Sequence, residues 1–320
     1  MEKSFRVLLL GAGGFVGGYL RLALEEQFGC NARVLATSLH GNEEALKSLD
    51  VTDIERFSSI LEHFRPTHIV NLAGLAAPSG SRADLQTAWL LHAQVPYLLG
   101  RAILKIAPEC WFLHVGSGLV YGGTALSTQK LAEDSLLAPT DPYSVTKAAG
   151  DLALGALAGE GLRCLRLRPF NHTGPAQNKD FAVPAFAAQL AEIAMDRAEP
   201  FLHVGNLDAE RDFLDVRDVA RAYTELILRS DSLISGDVYN VCSGRAVGMK
   251  SIVEALIRLS GVSVTIVRDP ARQRASDVPR MCGSPLKLHS STSWRPTYSL
   301  EQTLTDTFNY QLVVCGSSQT

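Results

Sequence analysis

The stretch Phe5-Arg6-Val7-Leu8-Leu9-Leu10-Gly11-Ala12-Gly13-Gly14-Phe15-Val16-Gly17-Gly18 decides how the chain is read. Its first six residues form a nearly continuous apolar run, the pattern of a strand buried on both faces. Glycines at 11, 14 and 17 follow, and helical periodicity sets in over 19–28. A strand, a glycine turn and a helix in that order make an anion site. The turn needs positive φ, the backbone must come close to a pyrophosphate, and the helix N-terminus offers free N–H groups to it. Gly11, Gly14, Phe15, Val16 and Gly17 are therefore the first candidate contacts to a dinucleotide.

Working outward, short apolar runs at 33–37, 67–72, 110–115 and 162–167 alternate with helical stretches at 50–64, 83–106 and 143–157, the second of these kinked at Pro96. This alternation predicts an α/β fold, a Rossmann-type doubly wound parallel sheet with helices on both faces. Beyond Pro169 loops lengthen and prolines and arginines become more frequent. The expected division is a dinucleotide-binding domain over 1–168, rejoined by about 213–242, and a smaller C-terminal α/β substrate domain over 169–320.

Composition narrows the partners. The chain has 320 residues, 46% of them hydrophobic, enough for an ordinary core. Thirty Lys and Arg against 33 Asp and Glu leave a formal charge of -3, with no general pull toward nucleic acid or an acidic membrane. The six cysteines show no paired spacing, so no metal site or disulfide framework is expected. No apolar stretch is long enough to span a bilayer, and the start lacks a signal-peptide pattern; a cytoplasmic protein is expected.

The second strand ends in Ala36-Thr37-Ser38-Leu39-His40, without the carboxylate that binds the ribose 2'-hydroxyl of NAD. That favours NADP(H), with NAD(H) left open. Thr37 and Ser38 are candidates for this end of the cofactor. Asp50 and Val51 are candidates for the adenine, Asp50 being equally well explained as a helix cap. Leu72, Ala73 and Gly74 end the third strand.

Tyr143-Ser144-Val145-Thr146-Lys147 supplies the chemistry. Four apart on a helix, Tyr143 and Lys147 share a face. A free tyrosine has a pKa of about 10, and a nearby ammonium favours the phenolate. The pair can therefore serve as a general acid/base. Ser117, just past the fourth strand, can donate to an oxygen that becomes an alkoxide; otherwise it is a turn serine.

This ordered series, with Asn71-Leu72-Ala73-Gly74 included, resembles the extended short-chain dehydrogenase/reductase family, which acts largely on nucleotide-sugars. The resemblance covers almost the whole chain. It implies that Tyr143 is the general acid/base, that Lys147 lowers its pKa and holds the nicotinamide ribose, and that Ser117 hydrogen-bonds the reacting oxygen. Pro169 and Phe170 fall beside the cofactor. The runs at 168–175, 203–207, 211–213, 238–244 and 269–274 resemble the branch that uses GDP-sugars. The expected reaction is NAD(P)H-dependent reduction of the C4 keto group of GDP-4-keto-6-deoxy-mannose, giving GDP-D-rhamnose or its C4 epimer GDP-6-deoxy-talose.

On the same resemblance Asn171 and Asn206 meet the substrate, Arg211 and Arg274 clamp its diphosphate, and Asp277 takes nucleotide ribose hydroxyls. Val183 is a further substrate candidate, although with Phe186 and Leu190 it lies on an amphipathic stretch that suits a core. Related GDP-mannose 4,6-dehydratases carry a Glu base two residues beyond the catalytic Ser or Thr; here that position is Leu119, which cannot take a proton. The family's helix asparagine falls at or near Leu91, and His92 beside it is read as structural or interfacial. Dehydration or epimerisation of a nucleotide-sugar, and a dinucleotide-binding sensor, remain the alternatives. A homodimer is expected through a bundle of the 83–106 and 143–157 helices, with Ala148, Ala149, Gly150, Ala153, Gly155 and Ala156 allowing close packing.

Overall fold

Strand β1, Phe5–Leu10, shows why its sequence is apolar apart from Arg6. Val7 and Leu9 enter one core while Leu8 and Leu10 enter another, because successive side chains leave a strand on opposite faces. The computed structural model describes residues 4–41, 46–76, 78–272 and 278–317. Arg274 and Asp277 lie outside them.

The first half runs β1, α1 (Phe15–Phe28), β2 (Ala32–Ser38), β3 (Lys47–Ser48), α2 (Ile54–Phe64), β4 (His68–Asn71), α3 (Pro78–Ala83), α4 (Leu85–Trp89), α5 (Val95–Ile106), β5 (Trp111–Val115), α6 (Pro142–Gly159) and β6 (Cys164–Pro169). Next come β7 (Asn171–Thr173), α7 (Ala182–Ala194), β8 (Phe201–Val204), β9 (Glu210–Asp215), α8 (Val216–Arg229) and β10 (Val238–Val241). The chain ends with β11 (Ala246–Gly248), α9 (Met249–Ser260), β12 (Thr265–Arg268), β13 (Arg280–Met281), α10 (Leu286–Ser291) and α11 (Leu300–Ser317).

Seven strands form one sheet in the order β3-β2-β1-β4-β5-β6-β10. Every pairing in it is parallel. This is the Rossmann-type doubly wound sheet, extended at one edge by β10. α1 and α8 pack against each other on one face, and α2, α5 and α6 cover the other. The 213–228 stretch thus divides. β9 joins a second, small sheet with β7, β11 and β13, whereas α8 lies on the first. α7, α9 and α11 enclose a separate core around β8.

Two helices depart from expectation. α1 starts at Phe15 rather than Tyr19, because Gly14 is already its N-cap. Asp53 caps α2 by accepting from the Arg56 N–H (2.9 Å), while Asp50 shapes the turn before it by accepting from the Thr52 N–H (2.9 Å). The interruption expected at Pro96 in the 83–106 helix takes the form of a π-helical turn at Leu90–Gln94, just ahead of the proline. Pro96 explains the break. It has no N–H to give the His92 carbonyl, and its ring would crowd that carbonyl in a regular helix.

That turn meets α6 very closely. A Cβ on Gly150 would lie 2.0 Å from the His92 carbonyl oxygen. Gly155 faces Arg166 in the same way, at 2.9 Å from Nη1. These small residues are therefore committed to packing within the chain, so they no longer argue for a dimer. Gly18, by contrast, has nothing within 4 Å of an added Cβ and sits inside α1. Gly150→Ala should lower stability by about 1–3 kcal/mol through forced displacement of α6, whereas Gly18→Ala should raise it by about 1 kcal/mol. Thermal or urea unfolding of both variants checks this; equal effects would contradict the close approach.

Candidate active site

A cavity of about 520 Å³ opens where the strand order reverses, at the C-terminal ends of β1 and β4. Ligands of open α/β sheets bind at such points. The glycine loop forms one wall. Gly11 has φ +75°, and a Cβ there would lie 2.7 Å from the Ala73 N; a Cβ on Gly17 would lie 2.4 Å from the Ala12 O. No side chain caps α1; the Gly17 N–H bonds back to the Gly14 carbonyl (3.1 Å), and the first-turn residues Phe15, Val16 and Gly17 line the cavity. This cradle fits a pyrophosphate.

Of the expected cofactor contacts, Gly11, Gly14, Phe15, Val16, Gly17, Ser38, Asp50, Val51, Leu72, Ala73, Gly74, Tyr143, Lys147, Pro169 and Phe170 line this cavity. Thr37 does not. It is buried, and its hydroxyl donates to the Leu9 carbonyl (2.9 Å), tying β2 to β1. Ser117 and Asn171 also line the cavity. Val183 lies in the core around β8. Asn206 accepts from the Asp208 N–H (2.9 Å), and Arg211 donates to the Glu210 carbonyl (2.8 Å); neither lines the cavity. His172, Gln177, Phe181 and Tyr223 line it too. Tyr223 falls on the apolar face of α8, where periodicity marks it only as core.

The reactive end is built by α6. Asp141 accepts from the Ser144 N–H (3.1 Å), and Ser144 Oγ accepts from the Asp141 N–H (3.2 Å), a capping box that fixes the first turn. Tyr143 sits in that turn, buried, and lines the cavity together with Ser117. Ser117 itself ends the loop after β5 and accepts from the Leu119 N–H (3.1 Å). Lys147 stands one turn along α6, with Nζ 6.0 Å from the Tyr143 ring centre and donating to the Val115 carbonyl (3.3 Å).

Burial dominates both titrations. It pushes Tyr143 up to about 12, against the hydrogen bond from Ser117, and it pulls Lys147 down to about 8. The lowering of Tyr143 expected from Lys147 is not among the causes of this shift, and the phenol stays protonated at neutral pH.

His92 connects these parts. Its Nε2 accepts from the Leu75 N–H (3.0 Å), so the ring proton is on Nδ1, which faces Thr146 Oγ1 (2.9 Å). Thr146 in turn donates to the Tyr143 carbonyl (2.9 Å). Burial, then the charge of Lys147, holds the imidazole neutral, down to about 3. His92 is thus structural, pinning the loop after β4 to the helix that carries Tyr143.

The model of the family described as GDP-mannose 4,6 dehydratase matches residues 7–307. The chain belongs to that family. It is similar to the GDP-6-deoxy-D-mannose reductase of Pseudomonas aeruginosa, 40% identical over 194 residues, or 60% of this chain and 63% of the reductase's length. It is also similar to the GDP-6-deoxy-D-talose 4-dehydrogenase of Aggregatibacter actinomycetemcomitans, 27% identical over 288 residues, 88% of this chain and 90% of that one. Among solved structures it resembles RMD from Pseudomonas aeruginosa complexed with NADPH, with a TM-score of 0.86, 28% identity, and coverage of 97% of this chain and 100% of that one. Among the described residues no helix is long and apolar enough to cross a membrane, and no cluster could hold a metal ion.

The depressed Lys147 value carries a stability consequence. Below about pH 8 the folded and unfolded states both hold the proton, and the fold bears the full cost of the buried charge. Between about 8 and 10.5 the folded state has released the proton while the unfolded state keeps it, so stability rises with pH. Lys147→Met should therefore melt higher than the parent at pH 7, by on the order of 3 °C, with the gap closing toward pH 10. Melting curves from pH 6 to 10 test this, and a lower-melting variant at pH 7 would refute it.

Proposed function

We propose that the chain is an NAD(P)H-dependent reductase of the C4 keto group of a GDP-4-keto-6-deoxyhexose, with NADP(H) favoured over NAD(H). The observation that carries this reading is the convergence of Ser117 and a protonated Tyr143 on the same cavity that the glycine loop lines. When bound, the reduced dinucleotide supplies the hydride. The chain's own residues handle the oxygen. Ser117 steadies it as charge develops, and Tyr143 gives it a proton. Residues 11–17 hold the pyrophosphate, Ser38, Asp50 and Val51 the adenosine end, and Lys147 the ribose next to Tyr143. Asn171 meets the sugar. Arg211 and Arg274 remain the candidates for the substrate's diphosphate, Asp277 for its ribose hydroxyls, and Asn206 for a further substrate contact.

Dehydration is the less favoured reading, for a chemical reason. It requires a base to remove a sugar proton, and the Ser117 end presents Leu119. Among the described lining residues the one carboxylate is Asp50, across the glycine loop and hydrogen-bonded to Thr52. The likeness to a GDP-6-deoxy-D-mannose reductase, and to a structure holding NADPH, supports the same choice of chemistry and cofactor.

The reading includes a division into a dinucleotide-binding part over 1–168, rejoined at about 213–242, and a nucleotide-sugar part over 169–320. It also includes a homodimer through α4, α5 and α6. Trp89, Tyr97, Val145 and Leu152 on these helices are exposed apolar side chains and support it.

With freshly made GDP-4-keto-6-deoxy-mannose, the protein should oxidise NADPH faster than NADH in a spectrophotometric assay. Tyr143→Phe should lower kcat by about 10²–10⁴-fold and leave NADPH affinity within about twofold. Absence of oxidation with either cofactor would sink the reductase reading. NMR of the product assigns D-rhamnose or 6-deoxy-talose.

A further inference from the structure

The cavity wall beside Ser117 is apolar. Leu119 gives its N–H to Ser117 Oγ (3.1 Å), so its backbone is held next to the group assigned to the keto oxygen. Its side chain is half-buried and lines the cavity. There it packs on the core cluster that contains Phe170 and Met281, and both of these line the cavity as well. Three apolar side chains from three separate segments thus make one continuous patch at the Ser117 end. Polar lining side chains come from β7 and the loop after it, at Asn171, His172 and Gln177.

A 4-keto-6-deoxyhexose brings a matching asymmetry. On one side of C4 stands C3, which carries a hydroxyl; on the other stands C5, which carries the C6 methyl. With the C4 oxygen held by Ser117 and Tyr143, one of these two flanks faces the Leu119 patch. A hydroxyl there would give up water and gain no hydrogen bond from an aliphatic side chain, whereas burial favours a methyl.

We infer that Leu119, backed by Phe170 and Met281, is a specificity-determining residue whose side chain receives the C6 methyl of the substrate and disfavours sugars that keep a C6 hydroxyl. This rests on the reductase reading given above and deepens it. The position that withholds a base from the site then has a use of its own. It also orients the ring, with the methyl flank toward Leu119 and the C3 hydroxyl away from it.

GDP-D-rhamnose and GDP-mannose differ only in the C6 hydroxyl, and both are alcohols at C4, so neither can accept a hydride from NADPH. Calorimetric titration of the full chain saturated with NADPH should show GDP-D-rhamnose binding about tenfold more tightly than GDP-mannose. Leu119→Asn offers the C6 hydroxyl a partner and should bring the two affinities within about twofold of each other. Leu119→Met, still apolar, should keep the parental preference. Equal affinities in the parent would overturn the inference, as would an undiminished preference in Leu119→Asn; if that variant does not bind NADPH, Leu119→Thr is read by the same criterion. If the parent binds NADPH but neither GDP-sugar, the reductase reading fails and takes the inference with it, whereas equal binding of the two sinks the inference alone.

Discussion

A two-pronged ionic contact between Asp151 and Arg168 holds the site in register. Arg168 Nε donates to Asp151 Oδ2 (2.8 Å) and Nη2 to Oδ1 (3.0 Å), and Arg166 adds a bond to Oδ1 (2.8 Å). Asp151 lies one turn beyond Lys147 on α6, and Arg168 immediately precedes the cavity residues Pro169 and Phe170. The contact therefore fixes the proton-handling helix against β6. It is nearly dry, and its remaining valences are met: Arg168 also donates to Tyr121 Oη (2.9 Å) and the Glu133 carbonyl (3.1 Å). Removing one partner of such a pair strands a buried charge, at a cost of about 3–5 kcal/mol. The run that begins at Arg168 thus carries architecture at its first residue and lines the cavity only afterwards.

A second constraint reaches the same helix from the other side. Pro96 denies the His92 carbonyl its helical partner, the helix bulges, and Gly150 lets α6 close onto the bulge. The His92 side chain is then presented between Leu75 and Thr146. One backbone defect therefore links the loop after β4, which forms part of the cavity wall, to the turn that holds Tyr143. Were the 83–106 stretch a regular helix, these two walls would lose the bridge that sets their separation.

How much of this was legible in the sequence follows from which signals are local. The strand–glycine–helix unit was readable because positive φ and close backbone approach are demands that only glycine meets at Gly11 and Gly17. Tyr143 and Lys147 were readable because helical spacing puts them on one face. Thr37 was not, since its sequence position at a strand end is that of a cofactor residue while its hydroxyl turns inward to Leu9. Val183 was pulled two ways, and its apolar periodicity, the local signal, matched the core where it lies. Tyr223 gave no signal. An aromatic on an amphipathic helix reads as core, and only the three-dimensional structure reveals that its hydroxyl lacks a partner among the described residues.

The electrostatics of Tyr143 and Lys147 set the direction of the proposed chemistry. A phenol held at about 12 is a poor base at neutral pH but an adequate acid toward a developing alkoxide, which is far more basic. That asymmetry suits a site that gives one proton per hydride accepted. Oxidation of an alcohol, the opening step of a dehydratase or epimerase, would instead need the phenolate at rest. Lys147 then matters after proton transfer rather than before it. The phenolate left behind is buried, and among the described lining residues Lys147 is the one Lys or Arg side chain. Its ammonium, still charged below about pH 8, offsets the anion until Tyr143 regains a proton. The lysine's influence is thus small on the resting tyrosine and large on the product of its reaction, which is the differential stabilisation that lowers a barrier.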